Sequence, residues 1–364
     1  MIKIGPLIAT DYAQAASLLD EQEEPVLDIS PLTETRLIMR SFAFWQHWVP
    51  CQFHITPSIY VAREEGEVLG FISLHNTNKS KSCWRIDNLV VHPEHRGRGI
   101  AHELLRYVFA QFGSQGVSYF LAEVAARNQG ALSLFAAGGF CRTAQVTYYK
   151  LDPREAIHTA ELAADLSGAE FRLATQRHQF MLYQVHQDVL PPDVRLVLSQ
   201  SAEDFRVKDM LPFTSVERRK NRLLRTRVWY WITEEIDRKG IPAAAKISAT
   251  PDIGYKVEFA VHPGWKHLTN ELVNSTISAL RAGTPHLPIW VRVYDFHGEV
   301  HEAVKQLGFE RMGDYFLLTR EHWQRAKRAK RKLDTAAALN PIAKPAINFP
   351  LPNQRNSGQS GHHT

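Results

Sequence analysis

Apolar positions along this chain switch between two periods. Residues 86–91, IDNLVV, are mostly apolar and β-branched and predict a strand. Directly after them, Ala101, Leu104, Leu105, Val108, Phe109 and Phe112 recur at helical spacing and predict an amphipathic helix facing a core. Upstream, SIYVAREEGEVLGFISL at 58–74 alternates around a polar centre and predicts a strand, a hairpin turn and a second strand. Downstream, LAEV at 121–124 predicts another strand, and ARNQGALSLFAAGGF at 126–140 predicts a helix closing on Gly-Phe. The order is strand, helix, an irregular or helical insertion at 21–57, two hairpin strands, strand, helix, strand, helix, strand.

The same order then returns. Val91-His92-Pro93 reappears as Val261-His262-Pro263, and Gly139-Phe140 as Gly308-Phe309. VWYWITEEIDRKGIPAAAKI at 228–247 parallels the hairpin at 58–74, and FRLATQRHQFMLYQVHQDVL at 171–190 parallels IKIGPLIATDYAQAASLL at 2–19. Four landmarks in one order predict two copies of one α/β domain. We place the first at 1–152, a linker at 153–168, the second at 169–322, and a basic helix end with a disordered tail at 323–364. That tail is expected from its Pro, Asn, Gln, Ser and Gly. In the insertion, Phe42, Phe44, Trp45 and Trp48 suit either a packed helical layer or the wall of an apolar pocket.

Composition narrows the class. With 364 residues, 44% hydrophobic and 22% charged, the chain has the make-up of a globular protein with room for two cores. No apolar run approaches the roughly 20 residues that cross a bilayer. The start, MIKIGPLIATDY, lacks the regions of a signal peptide, so a cytoplasmic location is expected. Three scattered cysteines suggest neither a disulfide framework nor a metal site. The net charge of +5 is too small to point to nucleic acid. The basic runs at 218–227 and 323–333 lack interleaved aromatics, and we read them as solvated faces.

The chemistry concentrates in the turn between the 86–91 strand and its helix: Arg96, Gly97, Arg98, Gly99, Ile100 and Ala101. A helix start there offers unpaired N–H groups and the positive end of a dipole. A nucleotide P-loop would need Gly-Lys-Ser/Thr entering the helix, and a dinucleotide fingerprint a third glycine; Ile100-Ala101-His102 supplies neither. Val-X-Pro followed by Arg-Gly-X-Gly-Ile-Ala resembles motif A of the GNAT superfamily of acyl-CoA-dependent N-acetyltransferases. The segment at 126–140 is similar to that family's Asn…Gly-Phe segment.

The resemblance implies an α/β (α+β) fold of two tandem domains, each a mixed, mostly antiparallel twisted sheet flanked by helices. It implies acetyl-CoA as co-substrate, with the N–H groups of residues 96–101 around its pyrophosphate, and no metal. It also implies a bulge near residues 88–90 that frees Leu89, Val90 and Val91 to pair with pantetheine, one N–H facing the thioester oxygen. Asn128 matches the family asparagine that contacts pantetheine, and it also suits a helix cap.

An amine acceptor must lose a proton before it attacks. Asp87 and Glu123 are equal candidates for the base, with His75 third, as a loop histidine. Phe135 stands where the family commonly has an acidic tyrosine, so Tyr148 or Tyr149 would substitute. The acceptor is an amine of a small molecule or a protein. Neither it nor the oligomeric state is legible, and no membrane partner is expected. The alternative is a sensor that binds acyl-CoA without turnover. In the second copy GWKHLTNELV has lost both loop glycines and shortened the turn, which predicts packing without coenzyme A binding.

Overall fold

The computed structural model describes residues 2–20, 58–113, 115–153, 171–207, 227–235, 240–250, 254–283 and 286–322. The insertion with its four aromatic residues, both basic runs apart from Arg227, and the C-terminal tail lie outside the described residues.

The first repeat runs β1 (Lys3–Pro6), α1 (Tyr12–Asp20), β2 (Ser58–Glu64), β3 (Glu67–Asn76), β4 (Cys83–Val91), α2 (Ile100–Gly113), β5 (Tyr119–Ala125), α3 (Gln129–Ala137) and β6 (Cys141–Leu151). The second follows the same plan. It comprises β7 (Phe171–Leu173), α4 (Gln179–Val189), α5 (Pro192–Leu198), β8 (Arg227–Glu235), β9 (Gly240–Thr250), β10 (Gly254–Val261), α6 (Thr269–Gly283), β11 (Ile289–Tyr294), α7 (Gly298–Gln306) and β12 (Glu310–Glu321).

The repeats are joined edge to edge. Among the described residues one 12-stranded sheet has the order β1-β2-β3-β4-β5-β12-β6-β11-β10-β9-β8-β7. The two last strands have therefore changed places. β12 pairs antiparallel with β5 of the first repeat, and β6 pairs antiparallel with β11 of the second. The exchanged strands also pair with each other. Each repeat thus satisfies the backbone groups of its penultimate strand with a strand from the other, and neither sheet is closed by its own residues.

Alternation along each strand decides which helix covers which face. Leu104, Leu105 and Val108 of α2 pack on Ile72, Leu74, Trp84 and Ile86, while Leu18 and Leu19 of α1 pack on Val61, Phe71 and Val90 from the opposite side. In the second repeat Leu272, Val273 and Ile277 of α6 cover Val257, Phe259 and Val291, and Leu182 of α4 covers Ile232 and Ala244. α5 reaches across the junction. Its Val194 packs with Ala144 and Leu317, and Val197 with Cys83 and Leu121 of the first repeat. Beyond it, Asn78 Nδ2 donates to the Ser199 carbonyl at 3.0 Å, and the Lys79 N–H donates to Asp204 Oδ1 at 2.7 Å.

β4 is held close to β3. A Cβ at Gly70 would lie 2.5 Å from the Val90 carbonyl oxygen and 3.1 Å from the Val91 Cα. Those obstacles are backbone and cannot rotate away. Gly70→Ala is expected to cost about 1–3 kcal/mol through overpacking, read as a lower denaturant midpoint. An unchanged midpoint would mean that β4 yields freely at this contact.

Candidate functional site

After β4 the chain makes a short 3₁₀ turn, Pro93–His95, and then the glycine turn. Gly97 and Gly99 both have φ +79, the left-handed region in which a side chain is strained, and Ile100 begins α2. Ile100 is buried and anchors the helix start in the core. Arg98 is turned aside, its Nη2 2.6 Å from Glu64 and its Nη1 3.1 Å from His95 Nδ1. What the turn presents is backbone: successive N–H groups at the positive end of a 14-residue helix.

Beside this turn the sheet opens. β4 and β5 are parallel and pair only from Cys83↔Tyr119 to Ile86↔Ala122. Past that point Leu89, Val90 and Val91 pair with β3 on one edge, while pairing with β5 has ended on the other. The expected bulge is present but sits one residue earlier. Ile86 opposes Leu74 and Asn88 opposes Ser73, so Asp87 is the extra residue. The bulge turns Asp87 toward His75 and Arg85.

A line of charged side chains runs across the sheet, on the face away from α2. His75 is the last but one residue of β3, within the strand rather than in a loop. Its Nδ1 lies 2.6 Å from Asp87 Oδ2, and Arg85 Nε donates to Asp87 Oδ1 at 3.2 Å. Arg85 Nη1 is 3.8 Å from Glu123 Oε1, which also accepts from Arg292 Nη2 at 2.5 Å. Arg292 continues to Glu258 at 4.0 Å, and Glu258 to Lys246 at 3.7 Å and Lys256 at 3.8 Å. Glu123 and Arg292 stand on β5 and β11, with β12 and β6 between them in the sheet. Their contact requires the sheet to curl toward this face.

The environments differ along the line. Glu123 and Arg292 side chains are each only 7% exposed. Burial opposes the charge on Glu123, but Arg292, Arg85, Lys256 and the Tyr148 hydroxyl outweigh it and hold its pKa at about 2. Tyr148 donates its hydroxyl to Glu123 Oε2 at 2.7 Å. Burial, and then the Glu123 charge, push that phenol well above its ordinary value, so it parts with its proton reluctantly. Tyr149 points to the other face and bonds His301 Nδ1 at 2.9 Å. Phe135 is a core residue packed edge-on against Phe140. Asn128 caps α3, its Oδ1 accepting from the Ala131 N–H at 2.9 Å.

The structure therefore brings Asp87, Glu123 and Tyr148 into one network and adds Arg85 and Arg292, which sequence reasoning missed. A signal existed. Glu123 and Arg292 are charged residues inside apolar strands, FLAEVA and IWVRVY, at equivalent places in the two repeats.

The equivalent turn of the second repeat is built differently. A 3₁₀ segment, Pro263–Leu268, runs into α6 at Thr269, and none of its residues has a positive φ. Leu268 takes the buried place of Ile100, and His267 the place of Gly99. Lys266 bridges to Glu299 at the start of α7 at 2.5 Å. Among the described residues no group of His, Cys, Asp and Glu is placed to hold a metal, and no helix is long and apolar enough to cross a membrane.

Residues 20–140 match the model of the acetyltransferase (GNAT) family. No curated protein matches the sequence significantly. Among solved structures, the chain is similar to a tandem GNAT protein from the clavulanic acid biosynthesis pathway. The identity is 16% and the TM-score 0.59, over 90% of this chain and 100% of that one. It is also similar to a GCN5-related N-acetyltransferase from Sphaerobacter thermophilus at 13% identity and TM-score 0.57, over 89% and 96%. A putative acetyltransferase from Pyrococcus horikoshii gives 10% and 0.51, over 88% and 89%. The glycine turn and the opened sheet lie within the segment that matches the family model, and the chain shares the fold of the tandem GNAT protein.

Proposed function

We propose that the first repeat transfers an acetyl group from acetyl-CoA to a primary amine by direct attack in a ternary complex, and that the second repeat supports it without binding coenzyme A. The observation that carries this reading is the glycine turn. Two residues at φ +79 before a helix start fit a backbone cradle for a pyrophosphate, and the open edge of β4 lies beside them.

In this reading the N–H groups of Gly97, Arg98, Gly99, Ile100 and Ala101 hold the phosphates, while the Arg96 N–H, which donates to the Pro93 carbonyl at 3.3 Å, closes the preceding turn. Leu89, Val90 and Val91 extend the sheet toward the pantetheine arm, and one of their N–H groups stabilises the oxyanion that develops on attack. Asn128 keeps the start of α3 in place as its cap. The acceptor enters from the face that carries Asp87. Glu123, tied to Arg292, is a weak proton acceptor; it holds Tyr148 and the junction of the repeats in position. With Tyr148 committed to Glu123, the leaving thiolate takes its proton from solvent, since a thiol of pKa ~8.5 needs little help near neutrality. The location we propose is cytoplasmic.

The sensor reading shares the loop. Its one favourable observation is that neither Phe135 nor Tyr148 offers a ready acid. Thiol release from acetyl-CoA with a panel of primary amines separates the two. Calorimetry with acetyl-CoA is expected to find one site per chain. Two equivalent sites would show that the turn at 263–268 still binds phosphate.

A further inference from the structure

We propose that His75 is the general base of the reaction and that Asp87 is its positioning residue. The inference rests on the transfer reaction proposed above and assigns its proton acceptor.

Three observations carry it. Asp87 uses both carboxylate oxygens: Oδ2 on His75 Nδ1 at 2.6 Å and Oδ1 on Arg85 Nε at 3.2 Å. Its side chain is 5% exposed, against 25% for His75, so the imidazole is the member of the pair that solvent and an acceptor reach. His75 Nε2 has no hydrogen-bond partner among the described residues. A carboxylate on Nδ1 fixes the tautomer with the proton there and leaves a lone pair on Nε2. Glu123, the other carboxylate at the opening, is spent on Arg292 and Tyr148.

The position agrees with the chemistry. The couple sits at the bulge of β4, one residue past the last β4–β5 pair, where the sheet opens beside the free edge of β4. Among the described residues the charged groups facing it are Arg85 on β4 and, beyond Arg85, Glu123 on β5, Arg292 on β11 and Lys256 on β10. In the proposed step the acceptor nitrogen gives its proton to His75 Nε2 and its electron pair to the thioester carbon. The C–N bond forms, and the C–S bond breaks with its electrons on sulfur. The thiolate and His75 then exchange protons with solvent, which restores the neutral imidazole.

The test uses the full chain and the variants H75Q and D87N. Thiol release from acetyl-CoA is followed across pH, with water and then ethylenediamine as acceptor, and acetyl-CoA binding is measured by calorimetry. H75Q is expected to bind acetyl-CoA as the parent does, to lose about 100-fold in kcat, and to lose the acid limb of the pH profile. D87N is expected to lower kcat with little change in KM and to redistribute the His75 tautomers seen by nitrogen NMR. H75Q with parental kcat and pH profile would overturn the assignment. So would a neutral His75 that carries its proton on Nε2 in the parent, a readout that needs no turnover. Failure of the parent to bind acetyl-CoA would instead overturn the transfer reaction itself.

Discussion

Gly99→Asp is expected to weaken acetyl-CoA binding about 100-fold while leaving the fold intact. Gly99 has φ +79, and a Cβ built there meets nothing within 4 Å. Aspartate tolerates that region better than most residues, so the cost to the fold is small. The cost to binding is electrostatic. A carboxylate about 5 Å from a pyrophosphate charge, at an effective dielectric of about 20, is opposed by roughly 3 kcal/mol, close to a hundredfold. Gly99→Asn has the same shape without the charge and separates the two effects, since it should lose much less. Calorimetry reads both. Equal affinities for the parent and Gly99→Asp would show that the cofactor phosphates lie elsewhere.

The second large effect comes from the second repeat. Arg292→Met removes the guanidinium at 2.5 Å from a Glu123 side chain that is 7% exposed, and leaves a buried carboxylate with Arg85 at 3.8 Å, the more distant Lys256 and the Tyr148 hydroxyl as its partners. Removing one partner of a buried pair typically costs about 3–5 kcal/mol. Glu123→Gln combined with Arg292→Met should recover part of that loss, because no unpaired charge is then buried. The pH dependence has a definite sign. Glu123 has its pKa lowered to about 2 from the ordinary carboxylate value of 4.5. Its contribution is therefore complete above the unfolded value and is lost as pH falls through the folded one. Arg292→Met should flatten the stability profile across that acid window. Equal denaturation midpoints for the parent and Arg292→Met would show that the pair contributes nothing across the junction.

Much of the site was legible because it depends on local rules. Gly97 and Gly99 stand where the backbone needs a positive φ, and Val-X-Pro and the helical spacing after them mark the strand end and helix start. Leu89, Val90 and Val91 were expected only through the family resemblance, and their role toward a cofactor stays a proposal. The degeneracy of the second turn was equally local, since His267 and Leu268 stand where a glycine and Ile100 stand in the first. The bulge fell at Asp87 instead of 88–90, because register depends on how β3 pairs and not on β4 alone. His75 looked like a loop residue because β3 extends to Asn76, past the apolar run that marked its end.

The repeat, the order of elements and the glycine turn were determined by the sequence, since periodicity, glycine dihedrals and helix starts act over a few residues. Only the tertiary structure decided which strand closes which sheet. β6 and β12 each follow a helix and a Gly-Phe pair, so nothing local distinguishes pairing at home from pairing across the junction. That exchange, with the curl of the sheet, carries Arg292 to Glu123 although they lie 169 residues apart, and it decides which carboxylate is silenced and which remains paired with a histidine. The energy of a buried charge depends on all of its neighbours together, and those neighbours are assembled only when the chain has folded.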